Sequence, residues 1–268
     1  MSLFLNDFLE YFDVFLLAMA ALAVVVFIAL YFIDAGYGIT FNKKWGFAIN
    51  NKIAWFCMET PVFVLMTILC LSSSRISQFD VSTSLVPLIF FLFFQIHYAR
   101  RSFIYPFLLK GKSKMPVVVM LMGIMFNTCN AFMQGGWIFY KSPECMYSVS
   151  WLLSPQFMIG TVLFFGGMAL NIQSDEIIRN LRQQGDTKHY LPDKGLFKKV
   201  AGAHYFGEIV EWTGFAILTW SVSGAVFALW TFANLVPRAN SVYKKYKKMF
   251  GDETITNKKL KRIIPFVY

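Results

Sequence analysis

Residues 14–33 read VFLLAMAALAVVVFIALYFI, an uninterrupted stretch without a charge. Such a run matches the roughly 20 apolar residues that a helix needs to cross the hydrocarbon core of a bilayer, and it is too long for a strand. Comparable runs follow at about 55–71, 84–108, 116–140, 151–171, 200–219 and 223–240. Because every backbone polar group must be satisfied inside the bilayer, the sequence predicts an all-α membrane protein of seven transmembrane helices. The composition agrees. Of 268 residues 57% are hydrophobic and 15% charged, too few charges for the surface of a soluble domain. Only Ser221-Val222-Ser223-Gly224 separates the last two runs.

The residues before the first run include Asp7, Glu10 and Asp13 and no Lys or Arg, so a retained helix is expected there, not a cleaved leader. Of the 25 Lys and Arg, 21 belong to one set of connections and the tail, and only Arg75 and Lys141 to the other. Arg100 and Arg101 lie inside the third run. The positive-inside rule then places the N-terminus outside and the C-terminus in the cytosol. That distribution assigns the net charge of +10 to anionic lipid or an anionic ligand, and no nucleic-acid partner is expected. Cys57, Cys70, Cys129 and Cys145 form no CxxC or Cys/His cluster, so no disulfide framework and no metal site is expected. No linker, repeat or low-complexity block divides the chain, which reads as one integral-membrane domain over residues 1–268.

Soluble-enzyme motifs fail. Gly111-Lys112-Ser113 ends like a P-loop, but Pro106 stands at the required upstream glycine, and there is no GxGxxG after a strand, no GxSxG and no HExxH. Polar residues inside the runs are more informative, because a charge at the bilayer centre costs about 2.5–3.5 kcal/mol on insertion scales. Glu59 lies in the second run, His97, Tyr98, Arg100 and Arg101 in the third, Asn127, Asn130 and Gln134 in the fourth. Asn171, Asp175, Arg179 and Arg182 recur at helical spacing at the end of the fifth, and His204, Glu208 and Glu211 in the sixth. Each group alone has a plain reading: Glu59 as a carboxylate paired with Arg100 or Arg101, His97 as a satisfied core histidine, the 171–182 stripe as a solvated helix end. Their convergence at one level favours a cavity for an anionic ligand beside an apolar one. An enzyme using a phosphorylated cofactor and a lipid fits, as does a lipid or ion transporter. The lack of an internal repeat and the off-centre polar level favour the enzyme.

The segments AWFCMETPVF (54–63), HYARRSFIYPFLL (97–109), NTCNAFMQG (127–135), GMALNIQSDEIIRNLR (167–182), GLFKKVAGAHYFGEIVEWTGFAILTWS (195–221) and KKMFGDETITNKKLKRIIPFVY (247–268) together resemble the steroid 5α-reductase family, the membrane 3-oxo-5α-steroid 4-dehydrogenases. The resemblance runs from about residue 50 to the C-terminus and suggests a bacterial or otherwise divergent member, in the bacterial inner membrane or endoplasmic reticulum. It implies NADPH in a cytosolic half built mainly from 97–268, and reduction of the Δ4 bond of a 3-oxosteroid, with hydride to C5 and a proton to C4. It further implies that Glu59 and Tyr98 bind the 3-oxo group. Asn171, Asp175, Arg179, Arg182, His204, Glu208, Arg238, Tyr246 and Arg101 match cofactor contacts, and Trp55, Met58, Tyr105 and Phe126 match substrate-binding positions. The chain departs from the family pattern at Met58, Met122, His204 and Val242, where glutamine, arginine, asparagine and histidine are common. The C-terminal pattern is also similar to polyprenol and enoyl-CoA reductases, so another lipid enone is the alternative substrate. The expected oligomeric state is a monomer.

Overall fold

The computed structural model describes residues 8–34, 36–110, 113–143, 145–181 and 189–268. The described chain is mostly helical. Its long helices are α1 (Phe12–Phe32), α2 (Asn51–Leu71), α3 (Val81–Ala99), α4 (Val117–Gly136), α5 (Pro155–Asn180), α6 (Ala203–Thr219) and α7 (Val222–Phe250). With the turns that prolong α3 to Leu108 and α4 to Lys141, α1 to α5 are long and apolar enough to cross a membrane. The other two differ for a chemical reason. α6 has 17 residues and carries His204, Glu208 and Glu211, while α7 adds Asn234, Pro237 and Arg238 before a lysine-rich end.

The break between α6 and α7 is real and local. Trp220 adopts a left-handed conformation, and the Ser221 hydroxyl accepts from Gly224 N–H at 3.0 Å to cap α7. α5 runs to Asn180, well past the apolar run that ended near 171, so the polar stripe is helix continuous with the apolar part. One departure from an all-helical chain is a two-stranded antiparallel pair, β1 (Ala48–Asn50) with β2 (Lys114–Pro116). Asn51 N–H donates to Ser113 O and Val117 N–H to Phe47 O, so the pair satisfies backbone groups at the starts of α2 and α4 and ties those starts together.

Two features aim the polar residues inward. The first is a π turn over Arg100–Ile104, in which Tyr105 N–H reaches Arg100 O. Pro106 next to it has no N–H, and its ring crowds the carbonyl four residues back, so the helix widens there. The second is a seam of small residues between α5 and α6. A Cβ at Gly207 would sit 2.6 Å from Asn171 N, and one at Gly160 would sit 2.7 Å from Gly214 O. Only glycine lets the backbones come this close, as in other small-residue contacts between membrane helices.

The main core joins α1 to α7 through Phe12, Leu16, Met66, Phe90, Phe94, Phe164, Trp212, Phe215 and Trp230. The C-terminal segment returns beneath α6: Ala201 N–H donates to Lys261 O and Gly202 N–H to Arg262 O, both at 2.9 Å, and Ile263 is fully buried.

Candidate active site

Glu59 of α2 is 8% exposed although it lies in an apolar helix. No cation lies within ion-pairing distance of its carboxyl among the described residues; its polar neighbour is Asn127 of α4, whose amide nitrogen donates to Glu59 Oε2 at 3.1 Å and to Met58 O at 2.7 Å. Three residues further along the same face, Asn130 donates to the Tyr98 hydroxyl oxygen at 3.0 Å. Gln134, a turn on, donates to Ser223 O at 3.0 Å and to Asn130 Oδ1 at 3.4 Å. Glu59 and Tyr98 thus face a common ladder of amides on α4. The reading of Glu59 as a partner of Arg100 or Arg101 gives way to this amide contact.

Both arginines instead face α5 and α6. Arg100 donates to Asn171 Oδ1 at 3.2 Å and to Asp175 Oδ2 at 3.3 Å. The Arg101 guanidinium lies 3.8 Å from Asp175 and 4.0 Å from Glu208, and it stacks between Trp55 and Tyr105 at 4.6 and 4.8 Å from their ring centres. Asn171 also donates to His204 O at 3.0 Å, across the glycine seam. This group therefore brings together Arg101, Asn171, Asp175, His204 and Glu208, with Trp55 and Tyr105 as its aromatic walls. Arg100 belongs to it too, although the sequence resemblance did not include it among the cofactor contacts.

Arg238 and Tyr246 of α7 form a neighbouring group. The Arg238 guanidinium lies 4.4 Å over Tyr37, beside a cleft of about 60 Å³ lined also by Thr40, Tyr205 and Ser241. Tyr246 is buried among Ala201, Val242, Ile255 and Leu260. The Tyr205 ring lies tilted against His204, with ring centres 3.8 Å apart, and so links the two groups. Of the other expected residues, Phe126 packs on Trp230, Met58 underlies Gly123, and Arg179 is half-buried a turn beyond Asp175. Arg182 lies outside the described residues. His97 is bonded to Glu211 at 2.6 Å and packs against Trp212, joining α3 to α6 beside Tyr98, whose ring centre is 5.0 Å away.

The residues fit a polar, anionic cofactor. The ring Nδ1 of His204 and the Nε of Arg238 are shielded from solvent without a hydrogen-bond partner among the described residues, and such groups are normally satisfied by something. No cluster of metal-ligating side chains occurs among the described residues.

The family model for 3-oxo-5-alpha-steroid 4-dehydrogenase matches residues 113–268. The chain is also 35% identical to 3-oxo-5-alpha-steroid 4-dehydrogenase 1 of Bos taurus, over 98% of this chain and 97% of that one. This chain belongs to that family. The human protein of the same name is 40% identical over 82% of this chain and 81% of its own length. Steroid 5-alpha-reductase DET2 of Gossypium hirsutum is 35% identical over 94% and 96%. The family consists of oxidoreductases acting on CH–CH bonds. The match to residues 113–268 takes in α4 to α7 and so contains the amide ladder and the α5–α6 group, while Glu59 and Tyr98 lie in the part covered by the full-length relatives.

Proposed function

We propose that this protein is an NADPH-dependent reductase of the Δ4 double bond of 3-oxosteroids. It is a single domain of seven transmembrane helices, with its N-terminus outside and its cofactor half toward the cytosol. The observation that carries the reading is that Glu59 and Tyr98 are both buried and each receives an amide N–H on its oxygen from one face of α4. Reduction of an enone builds negative charge on the carbonyl oxygen, and hydrogen-bond donors aimed there lower the barrier most. Tyr98 donates its phenolic hydrogen to that oxygen. Glu59, taken as the neutral acid, donates a second. NADPH, when bound, supplies the hydride. Arg101, Asn171, Asp175, His204, Glu208, Arg238 and Tyr246 would hold it, with Arg100 added, and Arg179 and Arg182 are further cationic candidates for its phosphates. Trp55, Met58, Tyr105 and Phe126 bound the apolar space for the steroid.

The test is incubation of purified protein with NADPH and testosterone or progesterone, following absorbance at 340 nm and product stereochemistry. A 5α-reduced product is expected. Reduction only of a polyprenol or enoyl-CoA would reassign the substrate, and flux in liposomes without NADPH oxidation would reassign the class.

A further inference from the structure

The two amides that touch Glu59 and Tyr98 do not have freely chosen orientations. A backbone carbonyl can only accept, so the Asn127 atom 2.7 Å from Met58 O is the NH2 nitrogen. The same nitrogen meets Glu59 Oε2, which must then be the accepting oxygen, and a proton on this carboxyl sits on Oε1. On the other branch, Ser223 O fixes the Gln134 NH2 at 3.0 Å. That NH2 faces Asn130 Oδ1, so a flipped Asn130 would set two donors against each other. Asn130 therefore presents its NH2 to Tyr98, whose oxygen accepts and whose hydrogen is left to point elsewhere.

We infer that Met58 O and Ser223 O, acting through Asn127 and through Gln134–Asn130, polarise the site so that Glu59 and Tyr98 both present a hydrogen to the substrate carbonyl. Asn127, Asn130 and Gln134 are positioning residues of this relay. They touch neither substrate nor cofactor in it. They set which atoms accept within the protein, so the reacting oxygen meets only donors. Asn127, Asn130 and Gln134 are all at most 5% exposed, so water does not compete for these bonds.

The inference rests on the proposed role of Glu59 and Tyr98, and the experiment separates the two. Full-length wild type, Tyr98→Phe, Asn130→Asp and Asn127→Asp are compared for kcat with testosterone at saturating NADPH from pH 5.5 to 9.5, together with NADPH Kd. In Asn130→Asp the introduced carboxyl can donate to Tyr98 only while protonated; once ionised it draws the phenolic hydrogen to itself. The expected result is a kcat, relative to wild type at the same pH, that falls about 100-fold from the acid to the alkaline end. NADPH Kd should stay within about twofold, because direct cofactor contacts remain. Asn127→Asp tests the Glu59 branch in the same way should the first variant fold poorly. A loss of equal size at every pH, or no loss at any pH, in the variant that folds overturns the relay. If Tyr98→Phe keeps the wild-type rate, the carbonyl-binding role is the part that fails.

Discussion

In the proposed role Glu59 acts as a neutral hydrogen-bond donor and not as a charge, which makes its substitutions informative. In Glu59→Gln the side-chain oxygen can keep the Asn127 bond while the NH2 replaces the acid hydrogen, so measurable turnover is expected. Glu59→Ala should lose about 100-fold or more in kcat. Equal activity of the two at saturating NADPH would refute the neutral-donor role. The His97–Glu211 pair makes a different prediction. Breaking one side of a buried pair costs about 3–5 kcal/mol, whereas replacing both sides with apolar groups is often nearly neutral. His97→Leu alone should therefore lower the thermal midpoint more than the double change His97→Leu with Glu211→Leu. At this scale the sequence showed which polar residues stand inside apolar runs, Asn127, Asn130 and Gln134 among them. What each residue touches was not legible. Arg100 and Arg101 stood as candidate partners of Glu59, and the π turn before Pro106 instead directs them to Asp175 and Glu208.

Between elements, the α5–α6 seam controls whether Asn171 and His204 share a site. A side chain at Gly167 would strike the backbone of Glu211 and Gly207, whereas one at its neighbour Gly166 meets nothing within 4 Å. Gly167→Val is expected to destabilise by about 1–3 kcal/mol and to weaken NADPH binding, with Gly166→Val close to wild type in both. Thermal unfolding and cofactor titration of the two variants check this, and matching behaviour would remove the seam from the site's construction. Helix positions were readable because apolar run length is set by the bilayer and not by neighbours. The ends were less so: α5 continues to Asn180 because its last turns pack polar residues against α3 and α6, a compensation that hydropathy does not register.

For the molecule as a whole, the C-terminal segment acts as a strap under α6. Ile263 is buried against Val236 and Ala239 and near Tyr205 and Phe206, next to the Arg238 cleft. Ile263→Asp puts an unpaired charge in that contact. It is expected to cost about 3 kcal/mol or more of stability and to weaken NADPH binding even though Ile263 lies outside the proposed cofactor set. An unchanged melting temperature would show the strap to be dispensable. By itself the sequence determined the rough places of the long apolar helices and, by resemblance, the family, since these depend on local hydropathy and on residues that recur in order. Only the tertiary structure decided that Glu59 is held by an amide, with no cation in ion-pairing reach among the described residues, that Arg100 joins the α5 carboxylate, and that the carbonyls of Met58 and Ser223 orient the amides beside Glu59 and Tyr98. Those facts depend on which helix faces cross, and a polar side chain's partner is fixed by the space left at that crossing, which no single run of sequence encodes.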